Sequence, residues 1–166
     1  REVFERIGYF DEEFDACEDV DFNYRVHIHG MKAFLSPKLS VCYYPRSSLR
    51  GLWRQMVRYG QGRHRFSLKH GVFSPIQWLA AAGVAGFALL LLLALVSSAA
   101  REVFTTVTGL YMLLIIFFSF YLAVREKQLG CLLYGPVIFP AIHFGLGWGY
   151  LSGIIQRLMR REREPL

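Results

Sequence analysis

Two short clusters hold residue types that can do chemistry. Glu18, Asp19 and Asp21 place three carboxylates within four residues, with Arg25 one helical turn beyond Asp21. Adjacent carboxylates repel, so either member of the Glu18-Asp19 pair is suited to carry a proton. The second cluster, Gln55-Met56-Val57-Arg58-Tyr59, combines an amide, a guanidinium and a phenol. A guanidinium matches the oxygens of a phosphate and offsets charge developing on them. Plainer readings stay open: the acids as a solvated, helix-capping face, Asp21 with Arg25 as a surface ion pair, and the second cluster as part of a helix resting on a membrane.

Local signals predict the elements that carry these clusters. Gly8-Tyr9-Phe10-Asp11-Glu12 reads as a turn, and Glu18 to His29 as a helix closed by Gly30, with acids in the first turn where the dipole favours them. Two short strands are expected at 33–35 and 41–44, bounded by Ser36-Pro37 and Pro45, as at the end of an α/β domain. From Ser47 to Tyr59 a helix is expected, with Ser47 or Ser48 as its cap. On that helix Leu49, Leu52, Trp53 and Met56 share one face, Arg50, Arg54 and Arg58 lie nearly opposite, and Gln55, Arg58 and Tyr59 meet at an edge. Such a helix suits a membrane interface, with Arg54, Arg63 and Arg65 on lipid headgroups.

The chain has 166 residues, 54% hydrophobic and 16% aromatic, which excludes a disordered tail and a coiled-coil rod. Its apolar residues concentrate in three runs, about 75–98, 103–124 and 130–155, each long enough to span a bilayer as a helix. The soluble part before them is too short for an ordinary domain, and the chain starts at Arg1; it is expected to be the C-terminal part of a longer protein. The net charge of +6 hides two blocks: residues 1–30 hold nine of the thirteen acids, and residues 31–70 hold nine bases and no acid. A basic segment directly before a span points to anionic lipid, and no nucleic-acid motif accompanies it. Three crossings after a cytoplasmic basic segment would leave Arg157, Arg160, Arg161 and Arg163 outside, against the positive-inside tendency. A first run that does not fully cross, a re-entrant third run, or an interfacial tail helix would each remove the conflict.

The third run carries Pro136, Pro140 and six glycines, with Gly145, Gly149 and Gly153 on one helix face, ready for close packing within the chain or between copies. His143 is the sole histidine in a run and reads as a neutral group bonded to another helix, whereas His27, His29, His64 and His70 read as surface groups. Cys17, Cys42 and Cys131 have neither disulfide nor zinc spacing. No register of the acidic block supplies the central Gly and terminal Glu of a calcium loop.

Taken in order, Ile7-Gly8-Tyr9-Phe10-Asp11-Glu12, Glu18-Asp19-Val20-Asp21-Phe22 with Arg25 and Gly30, Pro45-Arg46-Ser47-Ser48-Leu49, and Arg54 to Arg63 resemble family 2 glycosyltransferases. The resemblance is to the membrane-bound, succinoglycan-type exopolysaccharide branch, and it covers nearly the whole chain. It implies an α/β fold: residues 1–46 as the C-terminal end of a GT-A, Rossmann-like catalytic domain, 47–72 as an interfacial amphipathic helix, 73–156 as three transmembrane helices and 157–166 as a basic tail.

It also implies transfer of a hexose, with inversion, from a nucleotide-diphosphate sugar to a lipid-linked or growing polysaccharide at a bacterial-type inner membrane, with the catalytic part cytoplasmic. In the family pattern Asp19 is the base and Glu18 supports it. Gly8, Tyr9, Phe10, Asp21 and Arg25 shape the sugar site, and Gln55, Arg58 and Tyr59 contact acceptor and diphosphate. The Gln-x-x-Arg-Tyr run is similar to the Gln-x-x-Arg-Trp of processive synthases, with Tyr59 in the Trp position. The resemblance places Asp19-Val20-Asp21 in the base segment and the family's metal-holding Asp-x-Asp outside this sequence, so ligands for a divalent metal, Mg or Mn, are expected there. Partners implied are the sugar nucleotide, the acceptor, membrane lipid and a second copy through the glycine face, with no nucleic acid. The rival class is a non-catalytic membrane anchor or assembly subunit that binds a partner and anionic lipid.

Overall fold

The computed structural model describes residues 1–161, with side chains through Met159; Arg163 of the basic tail lies outside the described residues. The order is α1 (Glu2–Ile7), α2 (Glu18–Ile28), α3 (Leu49–His70), α4 (Pro75–Ala94), α5 (Ser98–Arg125) and α6 (Gly130–Arg161). No strand occurs among the described residues. The segments expected as strands at 33–35 and 41–44 carry no regular structure and form no backbone pairing among the described residues, with Phe34 87% and Val41 92% exposed. A strand needs a neighbour to accept its N–H groups, and no described segment lies alongside these.

Ser48 caps α3 by accepting from the Gly51 N–H at 3.1 Å, and the helix runs beyond Tyr59 to stop at Gly71, which adopts the left-handed φ of 66°. The helices α4, α5 and α6 are each long and apolar enough to cross a membrane. Despite Pro136 and Pro140, α6 is continuous.

The bundle is organised around α6. Its Gly145 and Gly153 would, with a Cβ, come 2.8 Å from Met56 and from His64 on α3, and Gly149 would collide with the Val57 backbone. In return Gly60 on α3 lies against the backbone of Leu146 and Tyr150. The apolar side of α3, expected to face the interface, thus meets α6 through Trp53 and Met56. The glycine face that was open to a second copy is filled by α3 of the same chain. A further glycine, Gly147, meets Ala80 and Val84 of α4, and Gly135 meets Ser119 of α5.

Contact order gives the directions. From Trp53 beside Gly145 to His64 beside Gly153, α3 runs parallel to α6, while α5 runs antiparallel, with Ser119 at Gly135 and Tyr111 at His143. Three successive crossings would also make α4 parallel to α6. Instead Trp78 packs on Tyr150 at 5.6 Å and Phe87 on Phe144 at 5.2 Å, the opposite sense. Phe87 also touches Phe104 near the start of α5. The first turns of α4 and of α5 therefore both lie beside the C-terminal half of α6. Between α5 and α6, Tyr111 Oη and His143 Nδ1 share a hydrogen bond at 3.0 Å, in keeping with a histidine tied to a neighbouring helix.

Candidate active site

The turn before α2 docks on α3. Phe14 and Cys17 pack with Phe66, flanked by Val20 and Tyr24, and Gly62 admits the Ala16 backbone so closely that a Cβ would overlap it. Cys17 takes a left-handed backbone, φ 70°, uncommon for a residue with a side chain, and its Sγ donates to the Tyr59 carbonyl at 3.7 Å. Burial pushes its thiol pKa up. This turn sets the first residues of α2 against the Gln55–Tyr59 edge of α3.

The result is a cavity of about 360 Å³ lined by Glu18, Asp19, Arg46, Gln55, Arg58 and Tyr59, among others. Five of the residues singled out in the sequence meet there, from segments more than 30 positions apart. Gln55 Nε2 donates to Tyr59 Oη at 2.9 Å and to Tyr43 Oη at 3.4 Å. Arg58 is held by Asp15: Nε donates to Oδ2 at 2.5 Å and Nη2 to Oδ1 at 2.8 Å. The Asp15 hydrogen bond raises the Arg58 pKa above its already high value, so the cation is permanent. The pair is exposed, 48% and 77%, and exposed pairs contribute about 0–1 kcal/mol, so Asp15 holds Arg58 only weakly.

Behind this cavity lies a second constellation. Asp21 is wholly buried; its Oδ2 accepts from Arg25 Nε at 2.9 Å, and its Oδ1 pairs with Lys69 Nζ at 2.8 Å and His70 Nε2 at 2.7 Å. Burial opposes the Asp21 charge, but the hydrogen bonds from Lys69, His70 and Arg25 outweigh it and hold the carboxyl below its usual range. Lys69 also reaches Asp11 at 2.8 Å, and Arg25 donates to the carbonyls of Ile7 and Tyr9 at 2.5 and 2.7 Å. Asp21 and Arg25 are thus a buried pair, not a surface one, and they tie the Gly8 turn, α2 and the end of α3 together.

Gly8, Tyr9 and Phe10 lie on the Arg25 side, where Phe10 stacks on Phe22 and Tyr9 on Phe4, and they do not line the cavity. Sequence reasoning missed Asp15, Lys69 and His70. His70 and His64, expected at the surface, are enclosed, His64 at 8% exposure between α3 and α6. The signal for both was their place on the α3 faces bearing Phe66 and Gly60.

No three His, Cys, Asp or Glu side chains converge to hold a metal among the described residues. Glu18 and Asp19 share their cavity with Arg46, Arg58 and Arg63, whose charge disfavours a divalent cation at those two carboxylates. These residues do not fit a metal site.

This arrangement sits in a chain that belongs to Glycosyl transferase family group 2, whose family model matches residues 1–123. Among curated proteins the chain is 35% identical over 96 residues to the succinoglycan biosynthesis protein ExoA of Rhizobium meliloti (strain 1021), covering 58% of this chain and 29% of that protein. It is 24% identical over 151 residues to the dolichyl N-acetyl-alpha-D-glucosaminyl phosphate 3-beta-D-2,3-diacetamido-2,3-dideoxy-beta-D-glucuronosyltransferase of Methanococcus voltae, covering 89% of this chain and 42% of that enzyme. The matched regions thus span less than half the length of either relative. No solved structure matches significantly.

Proposed function

We propose that the intact protein transfers a hexose, with inversion, from a nucleotide-diphosphate sugar to a lipid-linked or growing polysaccharide acceptor. The observation that carries this is the meeting of Glu18 and Asp19 with Gln55, Arg58 and Tyr59 in one cavity of a family group 2 chain. Asp19 takes the proton of the attacking acceptor hydroxyl as its oxygen bonds to the anomeric carbon; the bond from that carbon to the diphosphate breaks, and Arg58 offsets the charge left on the leaving group. Glu18 supports Asp19, and Gln55 with Tyr59 holds the acceptor. Residues 1–46 close an α/β catalytic domain, in which Asp21 and Arg25 fix the Gly8–Phe10 turn, outside the cavity itself. The donor-side divalent metal implied by the resemblance is assigned to no residue of this chain. The Methanococcus relative, named for transfer to a dolichyl-phosphate-linked sugar, supports a lipid-linked acceptor.

The catalytic face is placed in the cytoplasm, with α3 at the interface. We assign α5 and α6 as the crossing pair and α4 to the cytoplasmic leaflet, supported by the shared location of the α4 and α5 first turns. Arg101 and Arg157 then both lie inside, as the positive-inside tendency requires. Two single-cysteine variants of a cysteine-free protein separate the topologies. With an impermeant maleimide on intact cells, two crossings predict labelling of Gln128→Cys and not Gln156→Cys; three crossings predict the reverse.

The reaction is tested by supplying membranes holding the intact protein with a panel of labelled nucleotide sugars and divalent metal. Label entering the lipid-extractable or polymer fraction is expected with one donor. No transfer with any donor would move the weight to an anchor or assembly role.

A further inference from the structure

A larger cavity, about 450 Å³, adjoins the first and shares Asp15, Ala16 and Arg58 with it. It lies between α3 and the last turns of α6, lined by His64, Arg65, Leu68, Gly153, Gln156 and Arg157.

Three features mark it as built for an anion. His64 is 92% buried with its Nε2 lacking any hydrogen-bond partner, and its ring is fixed edge-on to Tyr150 at 5.1 Å. Leaving a buried polar group unsatisfied is costly, so this nitrogen awaits a partner. Burial first, then the Arg157 charge, push the His64 pKa down, so the ring is neutral with one N–H to give. Arg157 pairs with no carboxylate among the described residues, and Arg65 is only loosely paired, 3.6 Å from Glu13. Both oxygens of the one acid in the lining, Asp15, are engaged by Arg58.

Position supplies the class of ligand. Tyr150 packs on Trp78, and Trp78 on Phe73, an aromatic group of the kind that sits at headgroup level. Arg157 follows Tyr150 by two helical turns, about 10 Å along the axis. The cavity therefore opens where lipid phosphates lie.

We propose that this second cavity binds the phosphate-bearing headgroup of a membrane lipid between Arg65, Arg157 and His64. Its two sources are the diphosphate of a lipid-linked acceptor and a bulk anionic phospholipid. Because Arg58 borders both cavities, an acceptor held here by its phosphate presents its sugar towards Asp19. That role rests on the proposed transfer reaction; the phosphate site does not.

The test uses the intact protein in phosphatidylcholine nanodiscs and a fluorescent prenyl diphosphate read by anisotropy. Arg65→Gln with Arg157→Gln removes the charge, and Leu68→Trp fills the mouth while leaving every cation in place. Each is expected to weaken probe binding about tenfold, the scale of losing charge-assisted hydrogen bonds. Affinity unchanged within about twofold in both would overturn the site. Competition identifies the source: displacement by unlabelled prenyl diphosphate but not phosphatidylglycerol supports the acceptor, and equal displacement supports bulk headgroup. Binding is read without catalysis, so an absence of sugar transfer counts against the reaction alone.

Discussion

Replacing Asp21 by Ala should release α2 from α3 while the membrane helices stay packed. Asp21 is wholly buried and two of its partners are largely enclosed, His70 at 10% and Arg25 at 14% side-chain exposure. Removing one member of a buried ion network costs about 3–5 kcal/mol, because the partner charges remain. The low end applies to Asp21. Arg25 keeps two backbone carbonyls, and Lys69, 35% exposed and partly screened, keeps Asp11. About 3 kcal/mol corresponds to roughly a hundredfold rise in local opening. Cys17, buried between α2 and Phe66, is the reporter: with Cys42→Ser and Cys131→Ala as background, its labelling rate by a thiol reagent follows that opening. Asp21→Ala should label about a hundredfold faster, and Asp11→Ala, which loses the Lys69 contact and an exposed bond from the Glu13 N–H, less than about tenfold faster. Comparable rates in both variants, or an Asp21→Ala rate within about threefold of wild type, would refute the reasoning.

Three further outcomes are expected. Gly149→Leu would drive a side chain into the Val57 backbone; overpacking of this kind costs about 1–3 kcal/mol, and a lower melting temperature together with reduced transfer should follow, since Val57 adjoins Arg58. Arg58→Lys should lower kcat by about tenfold or more by losing the planar fork, whereas Asp15→Asn, which frees Arg58, should lower the KM for the sugar nucleotide. In acid, Asp21 holds its proton less tightly folded than unfolded, so its stabilisation is complete above its ordinary value of 3.8 and lost as pH falls through the lower folded value. His64 acts at higher pH: its lowered pKa means stability starts to fall as pH drops below 6.5, and His64→Gln should flatten that part of a stability profile.

What the sequence made legible was local. The acids before Val20 and the Gly30 stop give α2 to within a residue or two, Ser48 gives the start of α3, and helical periodicity places Gln55, Arg58 and Tyr59 on one edge. The Gly145, Gly149 and Gly153 stripe announced close packing but not its partner, because a stripe encodes distance and not identity. Pairings across the chain were out of reach: Asp15 with Arg58 and Asp21 with His70 lie 43 and 49 positions apart, and no local pattern couples them. The same holds for the strands, since alternation shows a face and not whether a neighbour exists to pair with it. The direction of α4 was equally hidden, because hydropathy reports length and not sense.

The most direct measurement is sugar transfer by the intact protein in membranes, comparing wild type with Asp19→Asn and Glu18→Gln at matched protein levels and saturating donor. Asp19 as the base predicts loss of about a hundredfold or more in kcat for Asp19→Asn, a smaller loss for Glu18→Gln, and unchanged donor binding in both. Full activity in Asp19→Asn would contradict the assignment of this cavity as the place where the acceptor loses its proton.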